Sequence, residues 1–357
     1  MKGFYRLAAA VPELRVGDPV FNVDRMLELY GQAVAGGASV VLFPELAITG
    51  YSCGDLFEQT ILLEAAEAAL RRMIAATAGQ ESLLIVGTPL RVESRLFNAA
   101  AVIADGRLLG LPLKEFLPNY REFYEKRQFN SVREFDRDGI LFDGQMVPTG
   151  SGLVFCAGDA FRFGVEICED LWAVIPPSST LAIGGAQVVF NLTAGNELVS
   201  KADFRRSLVV NQSARFSGTY VMAGAGVHES TSDVVFSGHA LIAVNGRLVA
   251  ENERFCRQSS IIFSDVKPLW ADKLRASWTS FNDCLAAGCL RRISIPALPE
   301  APDLKHFAIS PRPFVPSDEA ARSIRCHEIF SIQSAGLAKR IEHTGAKRLV
   351  LGISGGL

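Results

Sequence analysis

Phe163-Gly164-Val165-Glu166-Ile167-Cys168-Glu169-Asp170 decides how this chain is read. It is a short apolar run that stops on a thiol, with two acids directly behind it. A lone cysteine usually behaves as a small hydrophobe in a core. Two carboxylates immediately after Cys168 place it at the edge of the core instead. The same form occurs twice upstream: Val40-Val41-Leu42-Phe43-Pro44 ends at Glu45, and residues 108–113 end at Lys114. Alone, Glu45 reads equally as a helix N-cap or a solvated acid, and Lys114 as a surface lysine. Together they form a chemically complete set. A carboxylate takes the thiol proton, the sulfur attacks a carbonyl carbon, and an ammonium faces the developing oxyanion.

The pattern around these three ends predicts alternating strands and helices. Residues 4–11, 39–43, 83–86, 161–167, 188–191 and 219–225 read as strands, short and apolar enough to be buried on both faces. Residues 23–35, 56–78 and 202–213 carry apolar side chains at helical spacing, and Gly36-Gly37 should end the first of them. Asp105-Gly106 and Asn245-Gly246 lie between apolar runs and predict two hairpins. Strand–helix–strand units mixed with hairpins point to a layered α/β domain with mixed sheets, not a doubly wound parallel sheet or a closed barrel.

The 357 residues suffice for one large domain or two smaller ones, and 49% are apolar, enough for a sizeable core. A formal charge of −2 supplies no global field for nucleic acid or an anionic membrane. Seven cysteines, none in a CxxC pair and none beside histidine at ligand spacing, argue against a disulfide framework and a structural zinc site. No metal site is expected. No signal peptide or membrane-long apolar run is evident, so a cytoplasmic location is expected. Six prolines in 296–316 predict an extended linker. Beyond it, residues 318–342 read as a helix capped by Ser317, and 347–352 as a strand. The expected division is a first domain over 1–265, a connecting segment over 266–316 and the truncated start of a second domain over 317–357.

Phe43-Pro44-Glu45-Leu46 with Thr49-Gly50-Tyr51, Lys114-Glu115-Phe116-Leu117-Pro118, and Glu166-Ile167-Cys168-Glu169-Asp170-Leu171-Trp172 together resemble the nitrilase, or carbon–nitrogen hydrolase, superfamily. The resemblance covers roughly the first three-quarters of the chain. It implies a four-layer αββα sandwich and a triad of Glu45, Lys114 and Cys168. Residues 118–129, with Tyr120, Glu122, Phe123, Glu125 and Arg127, are similar to the glutaminase domain of the glutamine-dependent NAD synthetase family. This implies that Tyr120 contacts glutamine and that Glu125 is a second glutamate beside the triad. Taken as bare sequence, Glu125 could equally pair with Lys126 or Arg127 on a solvated face. Asn191-Leu192-Thr193-Ala194-Gly195 with Ser200-Lys201 resembles that family's glutamine-binding segment. Gly195 stands where relatives often carry serine, so a contact there would come from backbone. Lys201 could pair with the substrate carboxylate, or be a surface lysine at a helix start. Tyr51 and Glu169, the latter through its N–H as an oxyanion donor, complete the expected glutamine site.

Residues 312–316 resemble the lead into a synthetase domain, and Gly352, Ser354, Gly355 and Gly356 resemble the opening of its Ser-Gly-Gly-x-Asp-Ser nucleotide loop, which is incomplete here. The resemblance implies glutamine hydrolysis without a cofactor, with the neighbouring ammonium favouring a thiolate at Cys168. In a complete synthetase the ammonia would serve ATP- and Mg-dependent amidation of nicotinic acid adenine dinucleotide. Neither nucleic acid nor membrane is an expected partner, and a homo-oligomer is. The alternatives are a free-standing amidase acting on another ω-amide or a nitrile, and a catalytically silent regulatory domain.

Overall fold

The first strand shows why this chain builds layers. β1 (Tyr5–Val11) is buried at every position. Its side chains divide by parity: Leu7, Ala9 and Val11 join one apolar cluster, Ala8 and Ala10 another. A strand that is apolar on both faces needs cover on both. The computed structural model describes residues 2–284, 290–309, 315–316 and 318–352.

The remaining strands are β2 (Val40–Leu42), β3 (Leu83–Val92), β4 (Arg95–Ala104), β5 (Arg107–Pro112), β6 (Gly139–Phe142), β7 (Gln145–Gly150), β8 (Leu153–Ala157), β9 (Phe161–Ile167), β10 (Val188–Thr193), β11 (Thr219–Gly224), β12 (Leu241–Val244), β13 (Arg247–Glu251), β14 (Ser260–Val266) and β15 (Arg291–Ser294). One sheet runs β14-β1-β2-β3-β4-β5-β7-β6, the other β13-β12-β11-β10-β9-β8-β15, and both mix parallel and antiparallel pairs. Leu7, Val40, Ile85 and Val102 of the first sheet share a cluster with Phe163, Val165, Phe190 and Val221 of the second, so this core lies between the sheets. Helices α1 (Pro19–Ala35) and α2 (Thr60–Ala76) cover the outer face of the first sheet. Helices α3 (Pro177–Ile183) and α4 (Lys201–Arg215) cover the outer face of the second. The result is the αββα sandwich that the sequence led one to expect. Asp105-Gly106 and Asn245-Gly246 make the expected hairpins, with all four residues at positive φ, as a two-residue primed turn requires.

Local readings depart from this structure in three places. The helical pattern over 56–78 is two elements: a 3-10 helix Tyr51–Glu58, kinked at Gly54, and then α2. The expected boundary at 265 falls inside the first compact unit, which extends to Phe307. Proline bars helix but lets an extended chain pack side chains on alternate sides. Here β15 pairs with β8, and Ile295, Leu298 and Ala301 are buried. Arg6, fully buried, is bonded to Asp265 at 2.7 Å and to Asp303. The second unit begins at Ala308 and contains one long helix, Glu319–Thr344, capped by the Asp318 carboxylate on the Ala321 N–H. Ser317, the expected cap, lies outside the described residues. Residues 347–352 carry no strand, and a lone strand without a partner has no ladder to stabilise it. No helix among the described residues is long and apolar enough to cross a membrane.

Candidate active site

Glu45 is placed by a backbone crossing. The chain leaves β2 through Phe43 and Pro44 and passes over β3 at Gly87. A side chain at 87 would put its Cβ 2.1 Å from the Leu46 nitrogen and 2.6 Å from the Pro44 oxygen. Only glycine leaves room. The crossing is held by the Gly87 N–H donating to Pro44 O at 3.2 Å, and it sets Glu45 in a fully buried position.

Lys114 follows β5. Its N–H donates to Asn98 O at 2.9 Å and its carbonyl accepts from Val132 N–H. The side chain is fully buried, with Nζ 2.6 Å from Glu45 Oε1 and 2.7 and 2.8 Å from the two Glu125 oxygens. Glu125 also accepts from the Tyr51 hydroxyl at 2.7 Å. So Glu125 faces inward onto Lys114 and does not pair with Lys126 or Arg127. Tyr51 spends its hydroxyl on Glu125, not on open solvent.

Cys168 sits where β9 gives way to a 3-10 helix, Cys168–Trp172, at φ +49°. That conformation is uncommon for a residue with a Cβ and costs of order 1–3 kcal/mol. Surrounding bonds hold it: Cys168 N–H donates to Asn191 Oδ1 at 3.2 Å, and Asp170 accepts from Ile167 N–H at 2.8 Å. The Thr193 hydroxyl donates to the sulfur at 3.1 Å. Glu169 is second in that short helix, where a backbone N–H has no intrahelical acceptor.

Charge in the cluster is unbalanced. Desolvation works against the Lys114 ammonium, but Glu125 and Glu45 outweigh it and keep the lysine protonated. Burial pushes Glu125 up to about 7, opposed by Lys114 and reinforced by Glu45. At Cys168, burial and then the Glu45 charge push the thiol far above its ordinary range; Lys114 opposes this without prevailing. Burial and the Glu45 charge thus work against the thiolate that the Lys114 ammonium was expected to favour.

The outer residues form a second group. Tyr120, half exposed, donates to Glu169 Oε1 at 2.8 Å. Lys201 donates to Asn196 Oδ1 and lies 5.5 Å from the ring centroids of Phe123 and Trp172. Asn196 in turn donates to Glu122 at 2.6 Å. Lys201 is thus engaged in a polar network, not free at a helix start. Gly195 has its N–H on Thr193 Oγ1 at 3.3 Å, so the backbone group expected to meet substrate is already engaged. A Cβ there would make only ordinary contacts. Gly352 lies in the second unit, beyond Ala308, and is exposed, while Ser354, Gly355 and Gly356 lie outside the described residues.

Sequence reasoning missed Asn98, Thr193, Asp170 and the Ala194 N–H, which donates to Glu45 Oε2 at 2.8 Å. Asp170 was visible in the acidic pair after the cysteine, and Thr193 and Ala194 in the 191–195 segment; Asn98 carries no local signal. Among the described residues no group of His, Cys, Asp and Glu converges as a metal would require. One surface groove, about 1240 Å³, is lined by Arg91, Arg137, Arg291 and Arg292 and by none of Glu45, Lys114 and Cys168.

The profile of the Carbon-nitrogen hydrolase family matches residues 6–268. Among curated proteins, the glutamine-dependent NAD(+) synthetase of Mycobacterium tuberculosis is 37% identical over 365 residues, covering 99% of this chain and 53% of that protein. The Mycobacterium leprae protein of the same name is 36% identical, covering 100% of this chain and 53% of its own. This chain thus spans about half the length of the relatives it matches. Among solved structures, a glutamine-dependent NAD(+) synthetase from Cytophaga hutchinsonii superposes with TM-score 0.65 at 27% identity, over 77% of this chain and 47% of that one. An amidase from Nesterenkonia, 18% identical with TM-score 0.61, shares the fold over 78% of this chain and 98% of its own. With its sandwich and its three converging strand ends, this chain belongs to the carbon–nitrogen hydrolase family.

Proposed function

We propose that this chain hydrolyses the side-chain amide of glutamine through Cys168, as the ammonia-producing part of a glutamine-dependent NAD synthetase. The observation that carries the reading is the buried Glu45–Lys114–Glu125 cluster at the strand ends that also present Cys168. Sγ attacks the amide carbon while the S–H proton passes to Glu45. The carbonyl electron pair moves to oxygen, facing Lys114 and the Glu169 N–H. Collapse breaks the C–N bond, and Glu45 returns the proton to the departing ammonia. Water, deprotonated by Glu45, then attacks the thioester carbon. The C–S bond breaks, the sulfur takes back the proton held by Glu45, and glutamate is released with its γ-carboxyl group. Glu125 balances the Lys114 charge throughout.

Tyr120, Glu169, Lys201 and Gly195 would meet the glutamine, with Tyr51 held on Glu125. Lys201 supplies a cation for the α-carboxylate of glutamine. In a longer protein the ammonia would serve ATP- and Mg-dependent amidation of nicotinic acid adenine dinucleotide, and Gly352, Ser354, Gly355 and Gly356 would open the nucleotide loop. A cytoplasmic homo-oligomer fits this role.

Ammonia release from glutamine, asparagine, simple amides and nitriles tests the substrate. Cys168→Ala should abolish release from glutamine while leaving the fold intact. Wild-type rates from that variant would sink the nucleophile, and preference for a nitrile would sink glutamine.

A further inference from the structure

Asn98 lies on β4, between the sheet's hydrogen-bonded strands, and is 1% exposed. Its Nδ2 donates to Glu45 Oε1 at 2.7 Å, and its backbone carbonyl accepts the Lys114 N–H at 2.9 Å. One residue therefore touches both Glu45 and the strand end of Lys114. Its own Oδ1 is buried, and among the described residues nothing donates to it. An unpaired buried carbonyl is destabilising. Turning the amide over would set Oδ1 against a carboxylate oxygen, acceptor on acceptor, so the orientation is fixed by Glu45. A leucine of the same shape would serve the fold better. The amide is kept at a cost to folding, and the group it serves is the base.

The donors on Glu45 are unequal. Oε1 receives Lys114 Nζ at 2.6 Å and Asn98 Nδ2 at 2.7 Å; Oε2 receives only the Ala194 N–H at 2.8 Å. Each carboxylate oxygen has about two acceptor positions. Oε1 is full, and Oε2 has one left. We propose that Asn98 is a positioning residue which, with Lys114, saturates Oε1 and so makes Oε2 of Glu45 the oxygen that takes the Cys168 proton. This rests on the reading of Cys168 and Glu45 as nucleophile and base.

The test uses the full 357-residue chain with Asn98→Leu and Asn98→Ala. Iodoacetamide labelling of Cys168, followed by peptide mass spectrometry across pH, reads the base independently of any amide substrate. Glutamine hydrolysis reads kcat and KM. Asn98→Leu should keep or raise the melting temperature. Its kcat should fall at least about tenfold, with KM changed less than about twofold, as for loss of a hydrogen bond to a charged group. The acid limb of labelling should move to higher pH, because the ionised carboxylate has lost a donor. An unchanged limb and kcat in a folded variant would overturn the proposal, whatever the substrate. If Asn98→Leu does not fold, Asn98→Ala is read in the same way. Unfolding of both would show that the amide holds the fold, and would also overturn it. Labelling of wild-type Cys168 without glutamine hydrolysis would remove the substrate reading and leave the Asn98 result standing.

Discussion

Asp170 Oδ1 accepts the Phe116 N–H at 2.9 Å, so the residue two places after Cys168 grips the loop that carries Lys114. Cys168 ends a strand of one sheet and Lys114 a strand of the other. Asp170 also accepts from Glu115 N–H at 3.1 Å and from Ile167 N–H at 2.8 Å. One buried carboxylate thus ties the two halves of the site across the sandwich. Asparagine at 170 would present an N–H₂ where one of these N–H groups needs an acceptor. Asp170→Asn should lose about 1–3 kcal/mol of stability in urea unfolding. Ammonia release should fall roughly 10²-fold as Lys114 shifts relative to Cys168. Unchanged kinetics would show that the tie is incidental.

Acid should silence the site before it unfolds the chain. Glu125 titrates at about 7, so below that pH it gains a proton and ceases to balance Lys114. Ammonia release should fall as pH drops through about 7. Stability runs the other way. Glu125 and Glu229, also at about 7, are raised above the ordinary 4.5 mainly by burial. Their contribution is complete below the ordinary value and is lost as pH rises through 7. Glu229 accepts the Tyr51 and Ser52 N–H groups and does not touch Cys168. Glu229→Gln should therefore flatten the fall in stability between pH 5 and 8, on the order of 1 kcal/mol or more. An unaltered slope in denaturation across that range would contradict the assignment.

Gly87 should tolerate nothing larger. The Cβ of Gly87→Ala would sit 2.1 Å from the Leu46 nitrogen, a backbone atom that cannot turn aside. Loss of roughly 1–3 kcal/mol is expected, with hydrolysis reduced about 10²-fold because Glu45 is carried on the displaced segment. Gly31→Ala is the control: its Cβ meets nothing within 4 Å inside α1, so it should be neutral or stabilising.

The positive φ of Cys168 separates two substitutions at that position. Cys168→Ala keeps the left-handed strain, and Cys168→Gly relieves it. After the entropy cost of glycine, Cys168→Gly should be the more stable by roughly 0.5–1 kcal/mol in chemical denaturation. Equal stability, or Ala above Gly, would mean that the neighbouring bonds remove the strain.

Truncation should locate the end of the first unit. A chain ending at Phe307 keeps β15, the buried Ile295, Leu298 and Ala301, and the Asp303 partner of Arg6. It should unfold in one cooperative transition and keep the wild-type ammonia rate. A chain ending at 265 lacks β15 and those apolar residues, uncovers the surface they pack on, and removes the Asp303 partner of the buried Arg6. It should aggregate or unfold at lower temperature. Equal melting of the two would place the boundary earlier.

Features that depend on neighbours along the chain are legible in the order of residues. The nearly continuous apolar run in residues 4–11 required two covered faces, Asx-Gly pairs made the hairpins, and three apolar runs ended in Glu45, Lys114 and Cys168. Tertiary structure decided what depends on residues far apart. Glu125 became a buried partner of Lys114 through a loop whose path no local pattern records. Asn98 and Ala194 reached Glu45 from 53 and 149 positions away. The start of the proline-rich stretch joined the first unit because the preceding β15 pairs with β8 and Leu298 and Ala301 are buried. The charge state of Cys168 was likewise out of reach. A thiol's proton is held by every charge around it, and only the fold brings two carboxylates and one ammonium to the same buried place.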